Sequence, residues 1–318
     1  MIYDCVQNII NYPKYIGLVA IISFVVSYVM LNVKFPFLPK DKGREYAVNG
    51  EASKGKIRGV GLIMVFCLLL CSSVFVNLNI ELVIYGFLVL LEMLSGFFDD
   101  ASAIPWSDYK KGLIDFIVAA GISVTFVYNN STDIVLLGKI YAINPTIYCC
   151  LAIILVWISI NVTNCSDGVD GLCASLSIVI LLTTVSIYRV DFNQESLITC
   201  TIVVSILFSY LVFNSSPSLI LMGDAGSRFI GLLIALFFMK SHHPLSYMIL
   251  AIVLIIDGIV GLVKVFFKRF LKISVLKSIR TPIHDEFRTN HGWSDTQVVN
   301  RFTIMQLFIA VIAYLLNI

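Results

Sequence analysis

The sequence predicts an all-α integral membrane protein of about ten transmembrane helices, forming one domain over residues 1–318. Three observations predict it. Hydrophobic residues make up 58% of the chain and charged residues only 13%, about half the charged share of a soluble domain, which argues against a water-soluble fold. Apolar runs of 17 to 23 residues recur along the whole length, and a run of roughly 18 with few charges spans the bilayer core as a helix. The longest polar segments, Lys34–Arg58 and Lys264–Arg301, are under 40 residues each, too short for a separate soluble domain.

The elements follow in order. The amino-terminal stretch has no basic segment feeding a short apolar core and no small-residue cleavage site, so it does not read as a signal peptide. The first run, Tyr15–Val33, is therefore expected to be a retained helix. After a basic loop come helices over Gly59–Val76, Leu82–Phe98 and Leu113–Tyr128. The segment Ser131–Asn144 alternates apolar and polar residues and suits a small hairpin around Gly138–Lys139. Helices are then expected over Thr146–Ile160, Leu172–Tyr188, Ser196–Phe213, Phe229–Lys240, Leu245–Phe267 and Thr303–Ile318. The eighth, about twelve residues long, does not cross a ~30 Å core unless flanking Gly and Ser residues extend it. The segment KRFLKISVLKSIR, residues 268–280, alternates basic and apolar residues and at helical spacing would lie along the membrane surface. Six cysteines, Cys67, Cys71, Cys149, Cys150, Cys173 and Cys200, lie in or beside apolar runs with no CxxC pair, as small packing residues do.

Lysine and arginine orient the bundle, because cytoplasmic loops hold the excess. The loops after helices 1, 3, 5, 7 and 9 hold 7, 2, 0, 1 and 8 basic residues, leaving only Lys14, Lys139, Arg189 and Lys240 for the other side. Both termini are thus expected outside. His242 and His243 then fall in an outer interfacial loop.

Charged groups near a bilayer are costly unless paired or hydrated, so acids flanking apolar runs point to function. Four groups stand out: Asp99–Asp100 in GFFDD; Asp167 and Asp170 in NVTNCSDGVDGL; Asp224 in MGDAGS; and His284–Asp285–Glu286 in TPIHDEF. All four fall in odd-numbered loops, on the expected cytoplasmic face. Taken singly, Asp224 reads as a helix N-cap, Asp99–Asp100 equally as a solvated pair, and Asn161 and Asn164 as turn residues. Their convergence on one face is harder to explain that way. Adjacent carboxylates repel unless a cation intervenes, and oxygen-rich clusters suit Mg²⁺ completed by substrate phosphates. Asp167 and Asp170 would share a face if the sixth helix began at Ser166 and diverge if they lie in a turn. Asp257, inside the ninth run, reads as a packed polar residue beside Gly258. Lys111, beside the aspartate pair, is placed to reach a diphosphate, whereas Lys54, Lys56 and Arg58 mainly hold their loop at the inner face.

At these residues the chain resembles the polyprenyl-phosphate N-acetylhexosamine-1-phosphate transferase superfamily, and most nearly its pentapeptide transferase branch. The aspartate pair, the NxxNxxDGxDGL block, Asn214 with Met222-Gly223-Asp224, and a His-containing ninth loop stand in family order. The resemblance implies transfer of a phosphosugar from a UDP-sugar to polyprenyl (undecaprenyl) phosphate, with UMP released and Mg²⁺ as cofactor. It implies UDP-N-acetylmuramoyl-pentapeptide as donor, with a plain UDP-N-acetylhexosamine as the alternative. By the same resemblance Asp99 matches the base or nucleophile, Asp224 the magnesium ligand, and Asp100 a second acid that orients or binds metal. His284 matches the first loop histidine. Asn161, Asn164, Asp167 and Asp170 match the nucleotide block, and Asn214 and Lys111 match polar residues near the diphosphate. A bacterial-type cytoplasmic membrane is implied, with a homodimer by family analogy and no nucleic-acid partner. Several residues depart from the branch. His284 is followed by Asp285 and Glu286 rather than two histidines, the first loop reads SKGKIRGVGLI without Pro-Thr-Met-Gly-Gly, and Ala103 stands where a basic residue is usual. A carboxylate-dependent carrier is the rival class, but it favours acids near the bilayer midplane and internal repeats. A catalytically dead scaffold is a third, against which stands the retention of every acid.

Overall fold

Capping side chains set the start of several helices in the structure, a computed structural model that describes residues 11–43, 50–136 and 138–316. The signal-peptide reading rests largely on residues 1–10 and, with the end of the predicted tenth helix, lies partly outside the described residues. Asn11 caps α1 (Tyr12–Asn32) by accepting the Lys14 N–H at 3.3 Å. After α2 (Gly61–Phe75), Asn79 caps α3 (Ile80–Ala101) in the same way at 2.8 Å. Ser107, Asn144 and Asn193 cap α4 (Asp108–Asn129), α5 (Pro145–Cys165) and α7 (Gln194–Asn214). Starts without a side-chain cap include α2, α6 (Leu172–Tyr188), entered through Gly171 at φ +86°, α8 (Gly223–Lys240) and the ninth helix. A short segment, Pro244–Leu250, bends by 88° into α9 (Ile252–Phe270), and the chain ends in α10 (Asp295–Leu316).

Each predicted helix thus has a counterpart. Among the described residues six helices are long and apolar enough to cross a membrane, or seven if the bent pair is one span, while α2 and α6, with 15 and 17 residues, are shorter. Large apolar side chains such as Ile21, Phe87, Ile117, Leu151 and Phe308 point outward, as the lipid-facing surface of a multi-pass membrane protein requires. The hairpin forms as expected: β1 (Asp133–Leu136) pairs antiparallel with β2 (Lys139–Ala142), Leu136 opposite Lys139.

Three expectations need correction. Helix α8 starts at Gly223, six residues before Phe229, and has 18 residues. Its charged first turns are helical because the rest of the protein wraps them; every residue from Gly223 to Lys240 is buried, with α3, α5 and α2 packed around. Gly61 and Gly96 allow that packing. A Cβ on either would run into the backbone of Asp224–Gly226, the small-residue contact that lets membrane helices approach closely. Second, the ninth helix is not continuous from Leu245, because the chain bends by 88° and α9 starts only at Ile252; α6, by contrast, begins at Leu172 as predicted, and of the two arrangements open to Asp167 and Asp170 the structure has the turn, where they diverge. Third, residues 272–282 are not helical. Lys272 and Leu276 adopt positive φ of 55° and 52°, which breaks a right-handed helix, so KRFLKISVLKSIR does not form a continuous surface helix. A helix of eight residues, Ile283–Asn290, follows.

Candidate active site

Helices α3, α4 and α8 bring charged termini, and α5 its Asn164, to one end of the bundle, where the loops before α2 and α10 fold over them. The segment before α2 is stitched in by backbone pairing. Ile57 bridges antiparallel to Lys40 and parallel to Ile220, the Arg58 N–H donates to the Pro39 carbonyl at 2.9 Å, and the Leu221 N–H donates to the Ile57 carbonyl at 2.8 Å. This layer sets Arg58 against the start of α8. A cleft of about 700 Å³ opens there, lined by Asp41, Arg58, Asp99, Asp100, Lys111, Asn164, Asp167, Asp224, His284 and Asp285 among others.

Basic groups thread between the carboxylates. The Lys111 ammonium pairs with Asp99 and lies 3.4 Å from Asp224. Asp99 also accepts the Trp106 N–H at 2.7 Å. Arg58 uses three sides of its guanidinium: Nε donates to Asp100 at 2.7 Å, Nη1 to Asp41 at 2.9 Å, and Nη2 lies 3.5 Å from Asp224. From inside the bundle Arg228 reaches the other Asp224 oxygen at 3.5 Å. Burial works against the Arg58 charge, yet Asp100 and Asp224 outweigh it and raise its pKa above the ordinary arginine value. Burial likewise pulls Asp41 upward, but the Gly43 N–H, Arg58 and Ser53 outweigh it and hold the carboxyl below the usual range.

The structure brings Asp99, Asp100, Lys111, Asn164, Asp167, Asp224 and His284 to one cleft, and turns Asn161, Asp170 and Asn214 away from it. Asn161 donates to Asp115 at 3.2 Å in the bundle interior. Asp170 accepts the Ser218 N–H at 2.9 Å and faces Lys56 at 3.5 Å. Asn214 accepts the Gly171 N–H and donates to the Ile220 carbonyl, both at 2.8 Å. Asp170 and Asn214 thereby shape the turn that carries Asp167. Asn164 accepts the Ser227 hydroxyl at 2.9 Å, fastening α5 to α8.

Sequence reasoning missed several participants. Arg58 counted only as a loop charge and Asp41 not at all. Asp257 is buried as expected, but it clamps His284 rather than merely packing. Glu92, Asp115 and Arg228 form a buried charge cluster beneath Asp224, with Arg228 Nη1 2.9 Å from Asp115 and 3.7 Å from Glu92. Charges inside predicted apolar runs were the signal available for Glu92 and Asp115, whereas Arg228 stands one residue before the predicted eighth run.

Among the described residues no three His, Cys, Asp or Glu side chains are arranged around a common metal position. Asp100 and Asp224 lie close together, both paired with Arg58. A carboxylate pair fits Mg²⁺, which keeps waters and completes its shell with substrate phosphates. The arrangement as a whole suits an anionic phosphate ester held between fixed cations beside carboxylates able to accept a proton.

Known proteins share the elements that build this cleft. Residues 82–242 match the model of glycosyl transferase family 4, the span from α3 to the end of α8. The chain is 32% identical to phospho-N-acetylmuramoyl-pentapeptide-transferase of Treponema pallidum (strain Nichols), over 93% of this chain and 87% of that one. It is 28% identical to the protein of that name from Clostridium acetobutylicum, over 93% and 96% of the two chains. With that of Halalkalibacterium halodurans identity is 27%, over 95% and 97%. Similarity of this extent, running through every helix that carries a cleft residue, makes the chain a member of glycosyl transferase family 4.

Proposed function

We propose that the protein transfers a phosphosugar from a UDP-linked N-acetylhexosamine-type donor to a polyprenyl phosphate and releases UMP. The preferred donor is UDP-N-acetylmuramoyl-pentapeptide, after the names of its relatives, and the product is a cell-wall precursor. The observation that carries the reading is Lys111, one ammonium shared by Asp99 and Asp224 at the charged end of a membrane bundle. Ten membrane crossings in a bacterial-type inner membrane, with the cleft toward the cytoplasm, agree with the distribution of Lys and Arg.

In this reaction an oxygen of the lipid phosphate attacks the β-phosphorus of the donor. The bond from that phosphorus to the bridging oxygen breaks, and UMP leaves with the electron pair. Asp99 is the base that takes the proton of the lipid phosphate; were it the nucleophile, it would attack the β-phosphorus first, expelling UMP, and the lipid phosphate would then displace it in a second step. Lys111 and Arg58 hold negative charge that builds on the phosphoryl oxygens, and fixed positioning of this kind supplies most of phosphoryl-transfer catalysis. Asp100 and Asp224 would hold Mg²⁺, whose charge would offset that of the diphosphate. Asn164, Asp167 and His284 face the nucleotide part of the donor. Asp170 and Asn214 act from behind, by holding the 166–171 turn. The mechanism works in one protomer, and a homodimer is expected by family analogy.

The test is to give the purified protein undecaprenyl phosphate with labelled UDP-N-acetylmuramoyl-pentapeptide or UDP-N-acetylglucosamine, with and without Mg²⁺, and to follow UMP. Release with neither donor would end the proposal; release with the second alone would move the chain to the other donor class.

A further inference from the structure

One buried carboxylate has no part in the reaction as described. Asp257 lies within α9 with 0% of its surface exposed, where an acid requires partners. Its Oδ1 accepts the backbone N–H of His284 at 2.8 Å. His284 Nδ1 lies 3.0 and 2.9 Å from Oδ1 and Oδ2, and the Ser166 hydroxyl donates to Oδ2 at 2.8 Å. One side chain therefore ties the helix Ile283–Asn290 to α9 and to the turn after α5. With Nδ1 turned to Asp257, Nε2 is the ring atom aimed at Gly168, where an added Cβ would collide with it. Both His284 and Gly168 line the cleft.

We propose that Asp257 is a positioning residue for transfer: its carboxylate holds the His284 ring by Nδ1 and favours the imidazolium, so that Nε2–H is turned into the cleft and donates to an anionic oxygen of the donor. The identity of that anion rests on the transferase reading; the clamp itself does not. The charged groups around the ring are Asp257 from α9, Asp167 from the 166–171 turn, and Asp285 and Arg288 from its own helix. Burial alone would lower the His284 pKa, but the charge and hydrogen bond of Asp257, with Asp285 adding, outweigh it and raise the pKa above 6.5.

The chain has four histidines, so a histidine-labelled NMR titration resolves His284, assigned with His284→Gln. The wild-type midpoint is expected above the ordinary imidazole value of 6.5. Asp257→Asn is expected to lower it by about one pH unit or more and to raise KM for the UDP-donor about tenfold with a smaller change in kcat. Asp257→Glu should restore both. A wild-type midpoint at or below 6.5, or one that Asp257→Asn leaves unmoved in folded protein, overturns the proposal. Should Asp257→Asn fail to fold, Gly168→Ala provides the second variant, because it displaces Nε2 while keeping Asp257; an unchanged KM there is equally fatal. If the midpoint falls in Asp257→Asn but wild-type protein turns over no UDP-sugar, the clamp stands and the transferase reading alone fails.

Discussion

Replacing Arg228 by methionine removes a guanidinium that three acids share, Asp115 at 2.9 Å, Asp224 at 3.5 Å and Glu92 at 3.7 Å. Arg228 is 2% exposed, and neither Glu92 oxygen has a hydrogen-bond partner among the described residues. At an effective dielectric of about 20, a unit pair near 4 Å is worth about 4 kcal/mol before desolvation. Breaking one side of a buried pair therefore leaves an uncompensated charge, at a net cost of about 3–5 kcal/mol. Arg228→Met is expected to lose that much stability. Asp115→Asn removes one of the stranded charges, so the double variant should recover about 1–3 kcal/mol of the loss as coupling. The assay is denaturant unfolding of the protein in detergent micelles, with inactivation half-life as the readout where unfolding is irreversible. A loss below about 1 kcal/mol, or strict additivity of the two substitutions, would refute the idea that these charges form one cluster.

Asp99→Asn and Asp224→Asn should each cut UMP release at least about a hundredfold while keeping the wild-type elution profile; a wild-type rate in either removes that residue from the mechanism. Gly96→Ala places a methyl group against the Asp224 carbonyl, so it should cost about 1–3 kcal/mol and depress turnover with it. An unaltered melting temperature and rate would contradict the close approach of α3 and α8. Asp41 binds its proton more weakly when folded than its ordinary value of 3.8 implies. Its stabilising effect is thus present above that pH and lost as pH falls through the lower folded value. The melting temperature of wild type should exceed that of Asp41→Asn at about pH 6 and the gap should close toward about pH 3; a constant gap would assign the effect to packing.

Helices were legible because a membrane span is written as a long apolar run, and only α8 escaped that rule at its start. Gly223 to Arg228 reads as a loop in one dimension, since its helicity depends on α3 and α2 arriving with glycines at the contact. Asp99, Asp100, Lys111, Asp167, Asp224 and His284 could be gathered by motif and membrane side alone. Spacing could not decide which face of the 166–171 turn looks inward, so Asp170 was grouped with Asp167 although it turns to Ser218. Arg58 enters the cleft through the pairing of Ile57 with Ile220, a contact between segments far apart in sequence that no local pattern announces. Asp257 had its polarity read correctly and its partner missed, for the same reason.

The wrapped character of α8 bears on how the protein reaches its membrane. A segment carrying Asp224, Arg228 and Lys240 is a poor substrate for insertion, since a charge costs up to about 2.5–3.5 kcal/mol at the helix centre and less toward the ends where Asp224 and Lys240 lie. The acids that neutralise its two cations, Glu92 and Asp115 for Arg228 and Glu81 for Lys240, all belong to helices synthesised earlier. When α8 leaves the ribosome its counter-charges are already in the bilayer. Biogenesis then has an order: α3 and α4 must be in place before α8 can settle, and neutralising Glu81 should leave this segment stranded outside the lipid even though α8 itself is unchanged.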